Sequence, residues 1–227
     1  MKITAVIPVR AGSQRVKGKN FRPFGDTTLL ELKIRTLLQV PELDAIIVNT
    51  NSDDAIRIVE NYPDGQGKLS WQRREEYYAA SGCGVSDFFE HLGKTTDTDI
   101  FVHTPCTSPL IKPETISQCI RLYLDSKDCD CVTTVIGVRE FLWQDGRALN
   151  YDTLDAPNSQ DLPDIVALSF GATVISREDL IKNRYIVGQR PKFVRVQELE
   201  ALDIDTPLDF HIAEMLYLEE KAKENAA

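Results

Sequence analysis

The chain has 227 residues and a formal net charge of −9, with 42% hydrophobic and 27% charged residues. A chain of this length buries roughly 70% of the surface it exposes when unfolded, enough for one sizeable core, so a single domain over residues 1–227 is expected. The acidic balance argues against a general nucleic-acid or membrane surface, no run approaches 18 apolar residues, and the N-terminus shows no signal-peptide apolar stretch; a cytoplasmic protein is expected, with neither nucleic acid nor membrane as partner.

In such a chain an anionic ligand has to be met by a local cluster of cations. One follows the first predicted element. Ile3, Ala5, Val6, Ile7 and Val9 form a short run rich in β-branched residues, which predicts a strand buried on both faces. The next residues set Arg10, Arg15, Lys17 and Lys19 among Ala11, Gly12, Ser13, Gly18 and Asn20. Glycines let backbone N–H groups approach a phosphate, and the cations neutralise its oxygens, so the loop has the composition of a phosphate cradle. A solvated basic turn would have the same composition. A P-loop is excluded because five residues separate Gly12 from Gly18 and Asn20, not Ser or Thr, follows Lys19. A dinucleotide fingerprint is excluded because no G-x-G-x-x-G occurs there.

Asp26-Thr27-Thr28 then caps an amphipathic helix that carries Leu29, Leu30, Leu32, Ile34, Leu37 and Leu38 and runs to about Val40. Ala45 to Asn49 reads as a second buried strand and Asp53 onward as a second helix, the alternation of a parallel sheet with right-handed crossovers. Asn49, Thr50 and Asn51 fall at that strand's carboxyl end, where open α/β sheets gather ligands, although turn chemistry explains them equally well. Leu69 to Gly84 brings Arg73, Arg74 and a small-residue loop before a short helix, VSDFFEHL. Asp99 to His103 is a third strand, Pro113 opens a helix, and Cys131 to Val138 is a fourth strand.

From Arg139 to Asp164 the periodicity breaks into aromatic, polar and proline residues, an excursion longer than an ordinary connection. Gly171 to Ile175 and Phe193 to Val196 return to strand character. Glu200 to Asp205 precedes a C-terminal helix with Thr206 at the N-cap, Pro207 at N1 and Asp209 at N3. Leu202 and Ile204 alternate with Asp203 and Asp205, so an extended backbone sets both carboxylates on one face, roughly 7 Å apart at Cα. That spacing suits a divalent cation; it also suits two acids that only complement the next helix dipole. The five cysteines contain no C-x-x-C pair and the three histidines are scattered, which points to reduced thiols and to no zinc site.

Four of these segments, in this order, resemble the acylneuraminate (CMP-sialic acid) cytidylyltransferases and their 3-deoxy-octulosonate relatives. IPVRAGSQRVKGKN is similar to the A-R-x-G-S-K…K-N signature, Arg73 looks like the opening arginine of R-P-x-x-L-A, CTSPLIKPETI is similar to the P-T-S-P-L-R stretch, and DIDTPLDFHIAE to the closing D-I-D-x-x-x-D-x-x-x-A-E. The resemblance implies an α/β fold, a Rossmann-like three-layer sandwich with a mostly parallel mixed sheet, and a homodimer built through a protruding arm at residues 139–164. It implies transfer of CMP from CTP to a sugar acid with release of pyrophosphate, in surface glycan biosynthesis.

By position the resemblance gives Arg10, Ala11, Gly12, Ser13, Arg15, Lys19 and Asn20 to the triphosphate and ribose. Arg73 and the loop with Ala80, Gly82 and Gly84 go to cytosine, Thr107, Ser108 and Gln160 to the acceptor, and Asp203 and Asp205 to Mg²⁺. Arg10, Lys19 and Asp205 would be the catalytic set. Three departures bear on the acceptor: the family's sugar-facing glutamine before T-S-P is missing, the arm arginine is replaced in Asn158-Ser159-Gln160, and the Asn-Gly before the next strand is Phe170-Gly171. A related nucleotidyltransferase with another base or acceptor, and a non-catalytic nucleotide-binding relative, are the competing expectations.

Overall fold

The computed structural model describes residues 1–12, 15–63 and 67–226, with the side chains of 224–226 left aside. In chain order the elements are β1 (Ile3–Val9), a small hairpin of β2 (Pro23–Phe24) and β3 (Thr27–Thr28), α1 (Leu29–Leu38), β4 (Ala45–Thr50), α2 (Asp53–Asn61), β5 (Leu69–Arg73), α3 (Glu76–Ala79), α4 (Val85–Thr95) and β6 (Ile100–His103). There follow α5 (Pro113–Asp125), β7 (Cys131–Val138), a second hairpin of β8 (Trp143–Gln144) and β9 (Arg147–Ala148), a 3₁₀ turn (Ser159–Asp161), β10 (Ile165–Ser176), α6 (Arg177–Asn183), β11 (Pro191–Arg195), α7 (Glu198–Ala201) and α8 (Pro207–Ala226).

Seven strands form one sheet in the order β11-β7-β10-β6-β1-β4-β5. Pairing is parallel except at β10, which runs antiparallel to both of its neighbours. The mixed, mostly parallel sheet and its helices make the expected Rossmann-like three-layer sandwich. Side chains of β1 show why the strand reads as a continuous apolar run: Ile3, Ala5, Ile7 and Val9 join the larger core with α1 and α5, while Val6 points through the sheet into a second core with Phe89, Leu92 and Leu180 of α4 and α6.

Caps fall where the sequence puts them. Thr28 accepts from the Glu31 N–H at the start of α1, and at α8 the Thr206 hydroxyl accepts from Asp209 N–H while the Asp209 carboxylate accepts from the Thr206 N–H. Asp26 is not part of the first cap; its carboxylate takes Lys221 and the Tyr217 hydroxyl, which ties α8 to the start of α1. Two elements differ from expectation. The segment at Leu69 adds an edge strand, β5, and β10 starts six residues before Gly171. Ile165 to Leu168 pair with β7 ahead of a bulge that shifts the register before Thr173, and the Ser-Phe-Gly inside it hides the continuity from a periodicity reading.

Residues 139–164 do leave the sheet between β7 and β10. Asp145 and Gly146, both at positive φ, close the β8–β9 hairpin as an Asp-Gly turn does. The buried Asn150 pins the stem by accepting from Leu142 N–H and donating to the Glu140 carbonyl. Tyr151 lies edge-on to Phe141 and accepts from the Trp143 indole at 2.7 Å. No helix among the described residues is long and apolar enough to cross a membrane.

Candidate active site

The carboxyl ends of the parallel strands open on one cleft of about 500 Å³ lined by Pro8, Arg10, Arg15, Lys19, Asn20, Arg74, Pro105, Cys106 and Thr107. Four cations and one carboxamide thus meet over strands β1, β5 and β6, as ligand sites in open α/β sheets do. The basic loop after β1 is therefore a wall of the cleft rather than an isolated turn. Its backbone is tied to the next strand by the Ala11 N–H, which donates to Asn51 Oδ1 at 2.9 Å, and Asn51 in turn donates to the Glu76 carboxylate. Gly18 has φ +62°, a conformation a side chain would strain, and the Phe21 and Arg22 N–H groups fold back onto its carbonyl. Ser13 lies outside the described residues.

Lys19 bridges the loop to the far end of the chain. Its ammonium donates to the Ile204 carbonyl at 2.6 Å; burial lowers its pKa, and the charges of Asp203 and Asp205 oppose that. Leu202 and the buried Ile204 turn inward, so the two aspartates do share the outer face. The segment is extended without being part of the sheet, and its backbone is held by the Ile204 N–H, which donates to the Thr107 carbonyl at 2.8 Å, together with the Lys19 contact. Asp205 pairs with Arg15 at 2.8 Å, and both side chains keep substantial solvent exposure. Asp203 keeps solvent access, yet the protein around it raises its carboxyl above the usual range. A hydrogen bond from Thr107 opposes the shift and the charge of Asp205 adds to it.

Arg74, not Arg73, faces the cleft. Arg73 ends β5 with its side chain outward, pairing with Asp53 at 2.6 Å and donating to the Asn51 carbonyl. Arg74 is 5% exposed, donates to Asn49 Oδ1 at 2.6 Å and to the Asn49 carbonyl at 2.8 Å, and lies over the Phe88 ring at 4.5 Å. Burial first, then the charge of Arg10, lowers its pKa to about 10. The signal was in the sequence: read from Arg74, REEYYA puts Ala79 at the alanine of R-P-x-x-L-A, which a start at Arg73 does not.

Other expected residues are dispersed. Ala80, Gly82 and Gly84 lie on the α3–α4 loop, outside the residues that line the cleft, and Gly84 caps α4. Thr107 lines the cleft, but Ser108 is buried behind it with an unpartnered hydroxyl. Gln160 is exposed on the arm's 3₁₀ turn. Pro105 and Cys106 stand before Thr107, and no glutamine lies there. A larger groove of about 670 Å³ between α1 and α2 is lined by charges of both signs, several already paired, such as Arg57 with Asp54 and Asp26 with Lys221, and it gathers no cationic set.

The profile of the family described as Cytidylyltransferase matches residues 4–225. The chain is 26% identical over 227 residues to the CMP-N,N'-diacetyllegionaminic acid synthase of Legionella pneumophila, covering 95% of this chain and 96% of that protein. It is also 26% identical over 221 residues to the N-acylneuraminate cytidylyltransferase of Escherichia coli, covering 93% of this chain and 51% of that one. Among solved structures, a CMP:2-keto-3-deoxy-manno-octonic acid synthetase complexed with CTP superposes with a TM-score of 0.71 at 15% identity, over 97% of this chain and 100% of that one; at that identity the likeness is one of fold.

Proposed function

Because the chain belongs to the cytidylyltransferase family, we propose that its cleft transfers the cytidylyl group of CTP to a sugar acid of the nonulosonate or ulosonate type, releasing pyrophosphate. The observation that carries this reading is the convergence of Arg10, Arg15, Lys19, Asn20 and Arg74 on one cleft whose rim holds Asp203 and Asp205. Phosphate charge is met by the cations of the first loop, fixed before any ligand arrives by the Ala11–Asn51 and Lys19–Ile204 hydrogen bonds. Arg74, held flat between Asn49 and Phe88, offers a fixed donor set at the β5 side of the cleft, where a base edge can be read. The acceptor comes to the Pro105–Thr107 side.

We further propose that Asp203 and Asp205 hold Mg²⁺ together with phosphate oxygens of CTP. No group of three or more His, Cys, Asp or Glu among the described residues could hold a metal. Two carboxylates completed by substrate phosphates and water is the arrangement Mg²⁺ commonly takes, so the donor set fits. Burial first, and then the charge of Asp205, raises the Asp203 carboxyl, and a cation held between the two carboxylates would offset both. Bound there, the ion would neutralise charge on the phosphate oxygens as pyrophosphate leaves. Arg15 now occupies Asp205; an exposed ion pair of this kind is worth little, and an arriving triphosphate can draw the guanidinium onto itself and free the carboxylate.

The arm supports a homodimer. Phe141, Trp143, Leu149 and Leu154 are all exposed on residues 139–164, an apolar set that a second copy would cover, with Gln160 carried toward the partner's acceptor. Five free cysteines, three of them buried, suit a reducing cytoplasm. Incubation with CTP, Mg²⁺ and a panel of nonulosonic and ulosonic acids, following pyrophosphate, tests the reading. Release should require CTP and one such acid; release with UTP or ATP in place of CTP, or none with any acid, would contradict it.

A further inference from the structure

We propose that Lys33, which lies outside the cleft, is a positioning residue of the active site: through the Ser108 carbonyl it fixes the loop of residues 104–109, and through that loop the carboxylate of Asp203. The inference rests on the cytidylyl-transfer reading above. Lys33 sits in the middle of α1 with its side chain fully buried, a place lysine almost never takes. Its ammonium donates to the Ser108 carbonyl at 2.8 Å. The titratable groups that act on it are the Cys106 thiol and the His103 imidazole, neither of which carries negative charge at neutral pH. Burial raises the thiol to about 12 and lowers the imidazole to about 4.

A buried amine held by one carbonyl in an apolar surround, charged or neutral, weakens a fold rather than strengthens it. Burial accordingly lowers the Lys33 amine to about 7. The packing of α1 does not require it, since Leu29, Leu30, Leu32, Ile34 and Leu37 supply the buried face and an unbranched apolar side chain would fill the same space. What the Lys33 amine does hold is a loop with two faces. Ser108 is its buried face, while Cys106 and Thr107 form the cleft wall. Thr107 in turn accepts Ile204 N–H on its carbonyl and hydrogen-bonds the Asp203 carboxylate with its side chain, and Ile204 receives Lys19 on its own carbonyl. Hydrogen bonds and the short backbone steps between them therefore lead from the core of α1 through Ser108, Thr107 and Ile204 to the segment that carries Asp203 and to Lys19.

Lys33→Met and Thr107→Val break this run at two points, and each can be assayed for pyrophosphate release, thermal unfolding and nucleotide binding. For Lys33→Met the expected result is a kcat lower by roughly 10- to 100-fold, as small misplacements near reacting atoms produce, with an unfolding midpoint equal to or above that of the wild type. A residue that only supports the fold would lower the midpoint and leave kcat. The double variant should be no slower than the slower single, because both changes act on one path. Wild-type kcat in Lys33→Met, a Lys33→Met chain that does not fold, or losses that multiply in the double variant would each overturn the proposal. If the wild type itself releases no pyrophosphate with any acid, the functional reading has failed on its own. The same cycle is then scored on CTP affinity in Mg²⁺ by calorimetry, where non-additive weakening supports the path and additive or absent weakening overturns it.

Discussion

Arg73 and Arg74 are neighbours with the same charge, and the extended backbone at the end of β5 sends them to opposite sides: Arg73 to an exposed pair with Asp53, and Arg74, just past the strand, into a buried clamp beside the cleft. A sequence reading weighs both alike, and only the register of the following Ala79 separates them. Arg74→Lys removes the planar fork that holds Asn49 and is expected to lower kcat/KM for CTP about tenfold or more, a loss of about 1.5–3 kcal/mol for a charged hydrogen-bonded group. Arg73→Ala is expected to stay within about threefold of wild type, as loss of an exposed ion pair usually does. Steady-state kinetics with varied CTP decides between them. His103 gives a pH signature at the same scale. It is buried at the end of β6 with Nδ1 unpartnered, and burial first, then the charges of Arg74 and Lys33, lowers its pKa to about 4. The unfolded chain binds the proton more tightly, so the stability contributed by the neutral ring is full above the ordinary histidine value and is lost as pH falls toward about 4. Urea unfolding should show the wild type losing about 2 kcal/mol more than His103→Gln between pH 7 and pH 5; equal losses would show that the ring charges freely in the fold.

At the scale of elements, what was legible followed period and punctuation. The β-branched run of β1, the Thr28 and Thr206 caps and the Pro113 start all appear where local chemistry puts them, because each is decided within a few residues. What was hidden depends on distant partners. Residues 165–168 join β10 only because β7 lies opposite, and Phe170 takes φ 53° in the bulge, a costly place for a bulky residue that its surroundings enforce. Thr134 accepts from Ser169 and from Ala172 N–H, and Thr104 holds the Gly171 carbonyl. Lys33 was hidden for a related reason: one lysine on an amphipathic helix reads as solvated until the loop behind it is known. The arm's exposed Phe141 and Trp143 carry the element-scale prediction. Sedimentation of the wild type at micromolar concentration should give a dimer, and Phe141→Ser with Trp143→Ser should shift it toward monomer; a monomeric wild type would leave the arm a feature of one chain.

For the molecule as a whole, a chain with net charge −9 collects its cations where six strands point their carboxyl ends and sets two carboxylates across from them. The fold makes that opposition from opposite ends of the sequence, since Arg15 and Lys19 follow β1 while Asp203 and Asp205 precede the last helix. Thr206 and Asp209 cap α8 without either aspartate, so the pair is not consumed in helix capping, although the Asp205 N–H also donates to Asp209. The most direct measurement is pyrophosphate release from CTP by wild type and Asp205→Asn side by side at saturating Mg²⁺, with CTP affinity followed by calorimetry. The asparagine keeps shape and loses charge. Turnover is expected to fall at least about 100-fold, as loss of a transition-state charge contact commonly does, with CTP binding retained. An asparagine variant that turns over at the wild-type rate would contradict the account.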